Sequence, residues 1–244
     1  IKQLIWTEGI SAKLAPPSMK HFFGTDLYGR DIFSRVLYGA RISLQIGIFA
    51  TIVTLLIGVP LGAIAGYMGG VPDDIVSWLV NVIFAFPFML FVLAVVSVFQ
   101  NPSLYLIFVA IGIVNWVGIC RVTRSEFMTL RGREFVEAAR ALGLPTHRII
   151  FKHILPNAFA PVIVQATMGM GGIITIEAGL AYLGFGAQPP TPSWGLMISE
   201  GQQYLARGQW WWSVFPGAAI MYTVLAFNFL GDGLRDALYV RQKR

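Results

Sequence analysis

The chain has 244 residues, 56% of them hydrophobic and 12% charged, with a formal net charge of +6 and a mean hydropathy of +0.66. That balance would leave a water-soluble fold too little polar surface to cover itself, so the chain belongs in a bilayer. The basic residues are parcelled between apolar runs rather than laid along one face, which argues for membrane topology and against nucleic-acid binding. The single cysteine, Cys120, excludes an internal disulfide and disfavours a thiolate metal cluster. No Gly-x-x-x-x-Gly-Lys-[Ser/Thr] phosphate loop occurs, so the chain does not by itself hold ATP in that way.

Residues 1–41 carry scattered charge and no apolar run of the signal-peptide kind. The first residue is Ile rather than Met, and the expectation is that upstream residues are missing, with room for a sixth span among them. Gly24-Thr25-Asp26 and Gly29-Arg30-Asp31 read as turns leading into an amphipathic helix, with Phe33, Val36, Leu37 and Ala40 on one side and Arg30, Ser34 and Arg41 nearer the other. Asp26 and Asp31, two carboxylates without a third ligand, read as helix caps rather than as a metal site.

The charge-free intervals beyond this point give an all-α membrane protein of five spans, at roughly 42–66, 75–99, 104–121, 157–180 and 211–231. Gln100-Asn101-Pro102-Ser103 separates the second span from the third, and Gly184, Gly186, Pro189, Pro190 and Pro192 break any helix after the fourth. Pro60 and Pro87 fall inside spans. Gly58, Gly62, Gly66, Gly169, Gly171 and Gly172 offer small surfaces for close helix packing, or hinges. Arg121, Arg124, Arg131, Arg133, Arg140, Arg148 and Lys152 place the connection 122–156 in the cytoplasm, and Arg235, Arg241, Lys243 and Arg244 place the tail, 237–244, there too. Residues 1–41 then fall outside despite Lys2, Lys13, Lys20, Arg30, Arg35 and Arg41, a violation that missing upstream context or a re-entrant first span would explain. Trp194 and Trp210-Trp211-Trp212 read as interfacial anchors. Glu177, Gln165 and Asn115, with Asn81 and Asn228, are polar groups inside spans, open to a translocation-path role or to plain interhelical hydrogen bonding.

Between the third and fourth spans the chain reads RGREFVEAARALGLPTHRIIFKHILP. Phe135 to Leu142 predicts a short helix ended by Gly143, and Thr146 to Leu155 a second that enters the membrane at Pro156-Asn157. A helix, glycine, helix elbow of this kind is a handle for another protein or only a structured loop.

Glu137-Ala138-Ala139, Gly143 after three residues and Leu155-Pro156 resemble the EAA loop of binding-protein-dependent ABC importer permeases. The usual pattern has Ile two residues before Leu-Pro, where this chain has His153 with Ile154 beside it. HFFGTDLYGRDIFSRVLYGARISL (21–44) and LGFGAQPPTPSWGLMISEGQ (183–202) further resemble the C-type permease of dipeptide, oligopeptide and nickel importers. The resemblance implies a type I ABC importer transmembrane domain over 42–236 in the cell membrane. Its implied partners are a homologous second permease, two cytoplasmic ABC ATPases that hydrolyse the ATP, and an extracytoplasmic binding protein. It implies peptide cargo, with nickel or another small solute as the alternative. It also implies an ATPase-facing role for Glu137, Ala138, Ala139, Gly143, Leu155 and Pro156, with no covalent chemistry or cofactor on the chain. An ion-coupled secondary transporter would call for paired intramembrane charges and an inverted repeat, neither of which is clear in the sequence. A purely structural subunit would leave the elbow without a partner.

Overall fold

The computed structural model describes residues 13–98 and 104–242, and among them the regular structure is helical apart from one isolated bridge between Thr25 and Asp31. In chain order the helices are α1 (Ile32–Met68), α2 (Gly70–Ala85), α3 (Phe88–Ser97), α4 (Leu104–Leu130) and α5 (Glu134–Ala141). A turn of helix at Thr146–Arg148 and a π-helical segment at Ile149–Ile154 then run into α6 (Leu155–Tyr182), followed by α7 (Trp194–Leu205) and α8 (Trp211–Gln242). Among the described residues four helical stretches are long and apolar enough to cross a membrane, and the count is five if α2 and α3 form one span. The turn expected at Gln100-Asn101-Pro102-Ser103 lies outside the described residues.

The first span starts ten residues earlier than the expected position 42, at Ile32. Asp31 caps it, its carboxylate accepting the Ser34 backbone N–H at 2.8 Å and the Ser34 hydroxyl at 2.9 Å. The span is one 37-residue helix containing Pro60, not a re-entrant loop. The bent element is the second span, where α2 and α3 meet at 90°. Phe86 has the extended backbone (φ −93°, ψ 139°) that a following proline favours, and Pro87 cannot carry the helix on. Residues after Arg121 stay helical to Leu130, so α4 runs about two and a half turns past the expected end of the third span. Trp194–Leu205, within the stretch read as broken, forms a helix started by the Ser193 hydroxyl, which accepts the Leu196 N–H at 3.2 Å.

The chain divides into two compact units: Ile1–Ile48, Val96–Ile107 and Gly171–Ala226 form the first, and Phe49–Val95, Phe108–Met170 and Phe227–Arg244 the second. In the first unit Asp26, fully buried, takes Arg30 Nε at 2.5 Å and Arg35 Nη1 at 2.8 Å, besides the N–H groups of Tyr28 and Arg30. Arg35 also donates to Glu200 of α7 at 2.8 Å. The amphipathic reading is therefore corrected: Arg30 and Arg35 are buried and Leu37 is exposed. Their charges are matched inside the protein, so two of the cations that strained the orientation rule are not free. The tryptophans are corrected as well. Trp194 donates to the Val36 carbonyl at 2.9 Å and Trp211 to the Thr25 carbonyl at 3.2 Å, Trp212 is buried, and of the four only Trp210 is exposed.

In the second unit α1 lies backbone to backbone on α4. A Cβ at Gly58 would stand 2.7 Å from the Trp116 carbonyl, at Gly62 2.5 Å from that of Cys120, and at Gly66 2.5 Å from that of Arg124. Glycines four apart make one stripe on a helix, and in lipid that stripe lets two helices pack by close contact. The packing reading therefore holds for these three, whereas a Cβ at Gly169 or Gly172 meets nothing within 4 Å. Where α1 turns into α2, Asp73 in the first turn of α2 receives Arg124 of α4 through both oxygens, at 2.5 and 2.7 Å, an ion pair that the sequence did not reveal.

Gly62→Val is expected to lower stability by about 1–3 kcal/mol through overpacking, and Gly172→Ala to leave it unchanged; thermal unfolding of the two purified variants in detergent checks the contrast.

Candidate coupling elbow

The short helix α5 forms close to its expected limits because Glu134 and Glu137 fall in its first turn and Arg140 in its last, each matched to the helix dipole. Gly143 ends it at φ +72°, a conformation that side chains with a Cβ resist. Its N–H donates to the Arg140 carbonyl at 2.9 Å, and the Leu144 N–H reaches back to the Ala139 carbonyl at 3.2 Å. Those two bonds form a Schellman cap, and Leu144 packs against the cluster that holds Ala139, as such caps favour. The chain is thereby turned sharply into Pro145 and the next helical turn.

The two faces of the elbow differ in what they touch. Val136 and Ala139 point inward and join Ile149, Ile154, Phe127, Ala63 and Ala158 in one buried cluster, with Tyr67, Leu130 and Leu155 at its edge. Three spans, α1, α4 and α6, thus contribute to the seat of α5. Arg140 lies over the Tyr67 ring at 5.4 Å, and Arg131 donates to the Tyr67 carbonyl at 3.3 Å. On the other side Phe135 and Leu142 are exposed, Leu142 at 80%, with Ala138 between them in the three-then-four spacing of one helix face. Phe151, 68% exposed, lies on the returning arm.

The candidate residues are thus divided. Glu137, Ala138 and Gly143 are exposed, Ala139 is turned into the chain's own core, Leu155 is half-buried at the edge of that core, and Pro156 is exposed in the first turn of α6. An added Cβ at Gly143 meets nothing within 4 Å, so the strain there is one of backbone and not of space. His153 is half-buried and its carbonyl accepts Asn157 Nδ2 at 2.7 Å. Because the segment is π-helical, with bonds reaching one residue further than in an α-helix, Ile149 and Ile154 both face the cluster, and Ile154 fills the apolar place beside His153.

The span residues fall in different units. Glu177 belongs to the first unit and is fully buried on α6; its Oε2 accepts the Ser43 hydroxyl at 3.3 Å, whereas Oε1 has no hydrogen-bond partner. Asn115 and Gln165 belong to the second unit; Asn115 is half-buried on α4, and Gln165 lines a cavity of about 300 Å³. Sequence reasoning missed the outward stripe of Phe135, Ala138 and Leu142, although its spacing was readable. It also missed Glu126 and Arg235, which line the same cavity as Gln165.

The model of the binding-protein-dependent transport system inner membrane component family matches residues 58–244. The chain belongs to that family. It is 48% identical to the dipeptide transport system permease protein DppC of Alkalihalophilus pseudofirmus, over 96% of this chain and 76% of that protein. It is 42% identical to the oligopeptide transport system permease protein OppC of Haemophilus influenzae, over 92% of this chain and 72% of that protein. Among solved structures, an inward-facing MetNI methionine ABC transporter aligns with TM-score 0.64 at 19% identity, covering 84% of this chain and 96% of that one. A chain of an amino acid ABC transporter aligns at 15% identity with the same TM-score of 0.64, a likeness of fold. The protein is therefore an inner-membrane, multi-pass permease subunit of an ABC importer, a class that works with ATPase and substrate-binding partners.

Ile154→Ala is expected to cost the permease about 2–5 kcal/mol, the range for emptying a buried aliphatic site, whereas Phe151→Ala, on the exposed arm, stays within about 0.5 kcal/mol; paired thermal unfolding curves measure both.

Proposed function

We propose that the permease forms half of the translocation pathway of an ATP-driven peptide importer and that α5 with Gly143 is its coupling contact with a cytoplasmic ATPase. The observation that carries the coupling role is the double-sided elbow: Val136 and Ala139 bind it to the ends of three spans, while Phe135, Ala138 and Leu142 leave an apolar face open to a partner. A short amphipathic helix with such a face is suited to a groove on another protein. Glu137 and Gly143 are exposed beside that face and Ala138 lies within it, while Ala139 supports it from beneath in the cluster with Phe127 and Ala158.

Peptide cargo rests on the relatives, whose names include dipeptide, oligopeptide and glutathione permeases at 41–48% identity over at least 91% of this chain. In the proposed assembly two homologous permeases share the pathway and two ATPases close on ATP. A binding protein delivers cargo on the side of residues 1–41 and the Pro-rich turn before α7. Closure of the ATPases moves the elbow, the elbow moves the ends of α1, α4 and α6, and the pathway alternates between outward and inward access. Residues 122–156 and 237–244 face the cytoplasm in this arrangement, and all covalent chemistry is on the ATPases.

In proteoliposomes holding the full importer, Leu142→Asp, which puts a charge on the apolar face, is expected to abolish ATP-driven dipeptide uptake with membrane insertion intact. Gly143→Val, which strains the cap, is expected to cut uptake and leave ATP hydrolysis running. Normal uptake by both variants contradicts the coupling role.

A further inference from the structure

The cavity lined by Gln165 lies wholly within the second unit, between α4, α6 and α8. Its walls include the apolar side chains of Val122, Val164 and Met168, and its polar groups are Glu126, Gln165 and Arg235. Glu126 is half-buried on α4 and Arg235 exposed on α8, and among the described residues neither side chain makes an ion pair or a hydrogen bond. Two other sets of partly or fully buried charges are paired within the protein, Asp73 with Arg124 and Asp26 with Arg30 and Arg35. Two opposite charges that face one cavity without meeting are complementary to a ligand that carries both signs at once.

We propose that this cavity is a vestibule for the two ends of a short peptide, in which Glu126 takes the α-ammonium group, Arg235 the α-carboxylate and Gln165 a backbone amide. The proposal rests on the peptide-importer reading and adds to it the chemical basis of recognition between α4, α6 and α8. Arg235 suits a carboxylate because its fork presents two parallel N–H donors. An anionic lipid would meet the Glu126 carboxylate, and a divalent cation would meet the Arg235 guanidinium, so neither fits the pair. The apolar walls at Val122, Val164 and Met168 accept varied side chains without selecting one, which leaves the termini as the recognised feature. A volume of about 300 Å³ is at the small end for a ligand site and suits a di- or tripeptide better than a long one.

The site is also placed to respond to the elbow. Glu126 is next to Phe127, which sits in the cluster beneath α5, and Ala160 and Pro161, on the cavity wall, follow Ala158 of the same cluster. Movement of α5 therefore displaces the ammonium-binding group and the α6 wall together, while Arg235 belongs to α8, outside the cluster. Drawing the two charges apart, or turning one away, releases a zwitterion that needs both.

The test uses the full importer in nanodiscs without its binding protein and without nucleotide, with binding of dialanine and of N-acetyl-dialanine amide followed by calorimetry. Dialanine is expected to bind the native importer about tenfold more tightly than the doubly blocked peptide does. Glu126→Gln and Arg235→Gln are each expected to remove that difference, with Glu126→Asp and Arg235→Lys retaining most of it. Equal binding of free and blocked peptide, or variants that discriminate as the native protein does, overturns the vestibule. ATP-driven uptake of a dipeptide panel, measured in parallel with the binding protein present, separates the two claims. Uptake without discrimination at the cavity leaves the importer reading standing and removes the vestibule; no uptake of any peptide removes both.

Discussion

Val136, Ala139, Ile149 and Ile154 turn the inner side of the elbow into a cluster that also contains Phe127, Ala63 and Ala158, and the placement of the elbow depends on that contact. A short helix at a membrane surface has little stability of its own, since nucleation is costly and only a few hydrogen bonds form. Packing against the ends of α1, α4 and α6 makes α5 a rigid extension of three spans. The Gly143 cap completes it by closing the carbonyls of Ala139 and Arg140 with the N–H groups of Leu144 and Gly143. In the proposed coupling role, a force applied at the exposed face is carried into the spans instead of being lost in a slack loop.

The glycine stripe extends this logic along α1. Gly58, Gly62 and Gly66 hold α1 against the carbonyls of Trp116, Cys120 and Arg124, and the Asp73–Arg124 pair ties the start of α2 to the same stretch of α4. The second unit is therefore fastened at the elbow, along the α1–α4 contact and at the α1–α2 turn. In the first unit the Asp26, Arg30, Arg35 and Glu200 cluster and two tryptophan-to-carbonyl bonds fasten residues 24–36 to α7 and the start of α8. Removing one partner from a buried ionic group strands the others, so such clusters favour one arrangement over neighbouring ones.

Much of this was legible in the sequence, and what was not has physical reasons. Spans are local, because about 20 apolar residues suffice to cross a bilayer, and the elbow is local too, its limits written in Glu134, Glu137, Arg140 and Gly143. The fate of a proline is not: Pro60 stays within α1, while Pro87 breaks the second span by 90°. Arg35 was counted among the cations that violate the orientation rule because Glu200, which receives it, lies 165 residues away. Tryptophans read as interface anchors proved to be donors to distant carbonyls. At His153 the π-helical register puts Ile154 rather than its neighbour into the cluster, a shift that spacing alone does not disclose. Leu142 was read as a helix end, and its exposure follows from the fold of the elbow rather than from its place in the sequence.

The central claim is that the elbow and the ends of its spans move as one body. Spin labels at Ala141→Cys on α5 and Thr129→Cys on α4, both exposed sites, placed in a Cys120→Ala background within the full importer, measure it by pulsed electron resonance. One narrow distance, the same without nucleotide and with ATP bound, is the predicted result. A distribution that broadens or shifts when ATP binds contradicts it, because α5 would then be moving independently of α4.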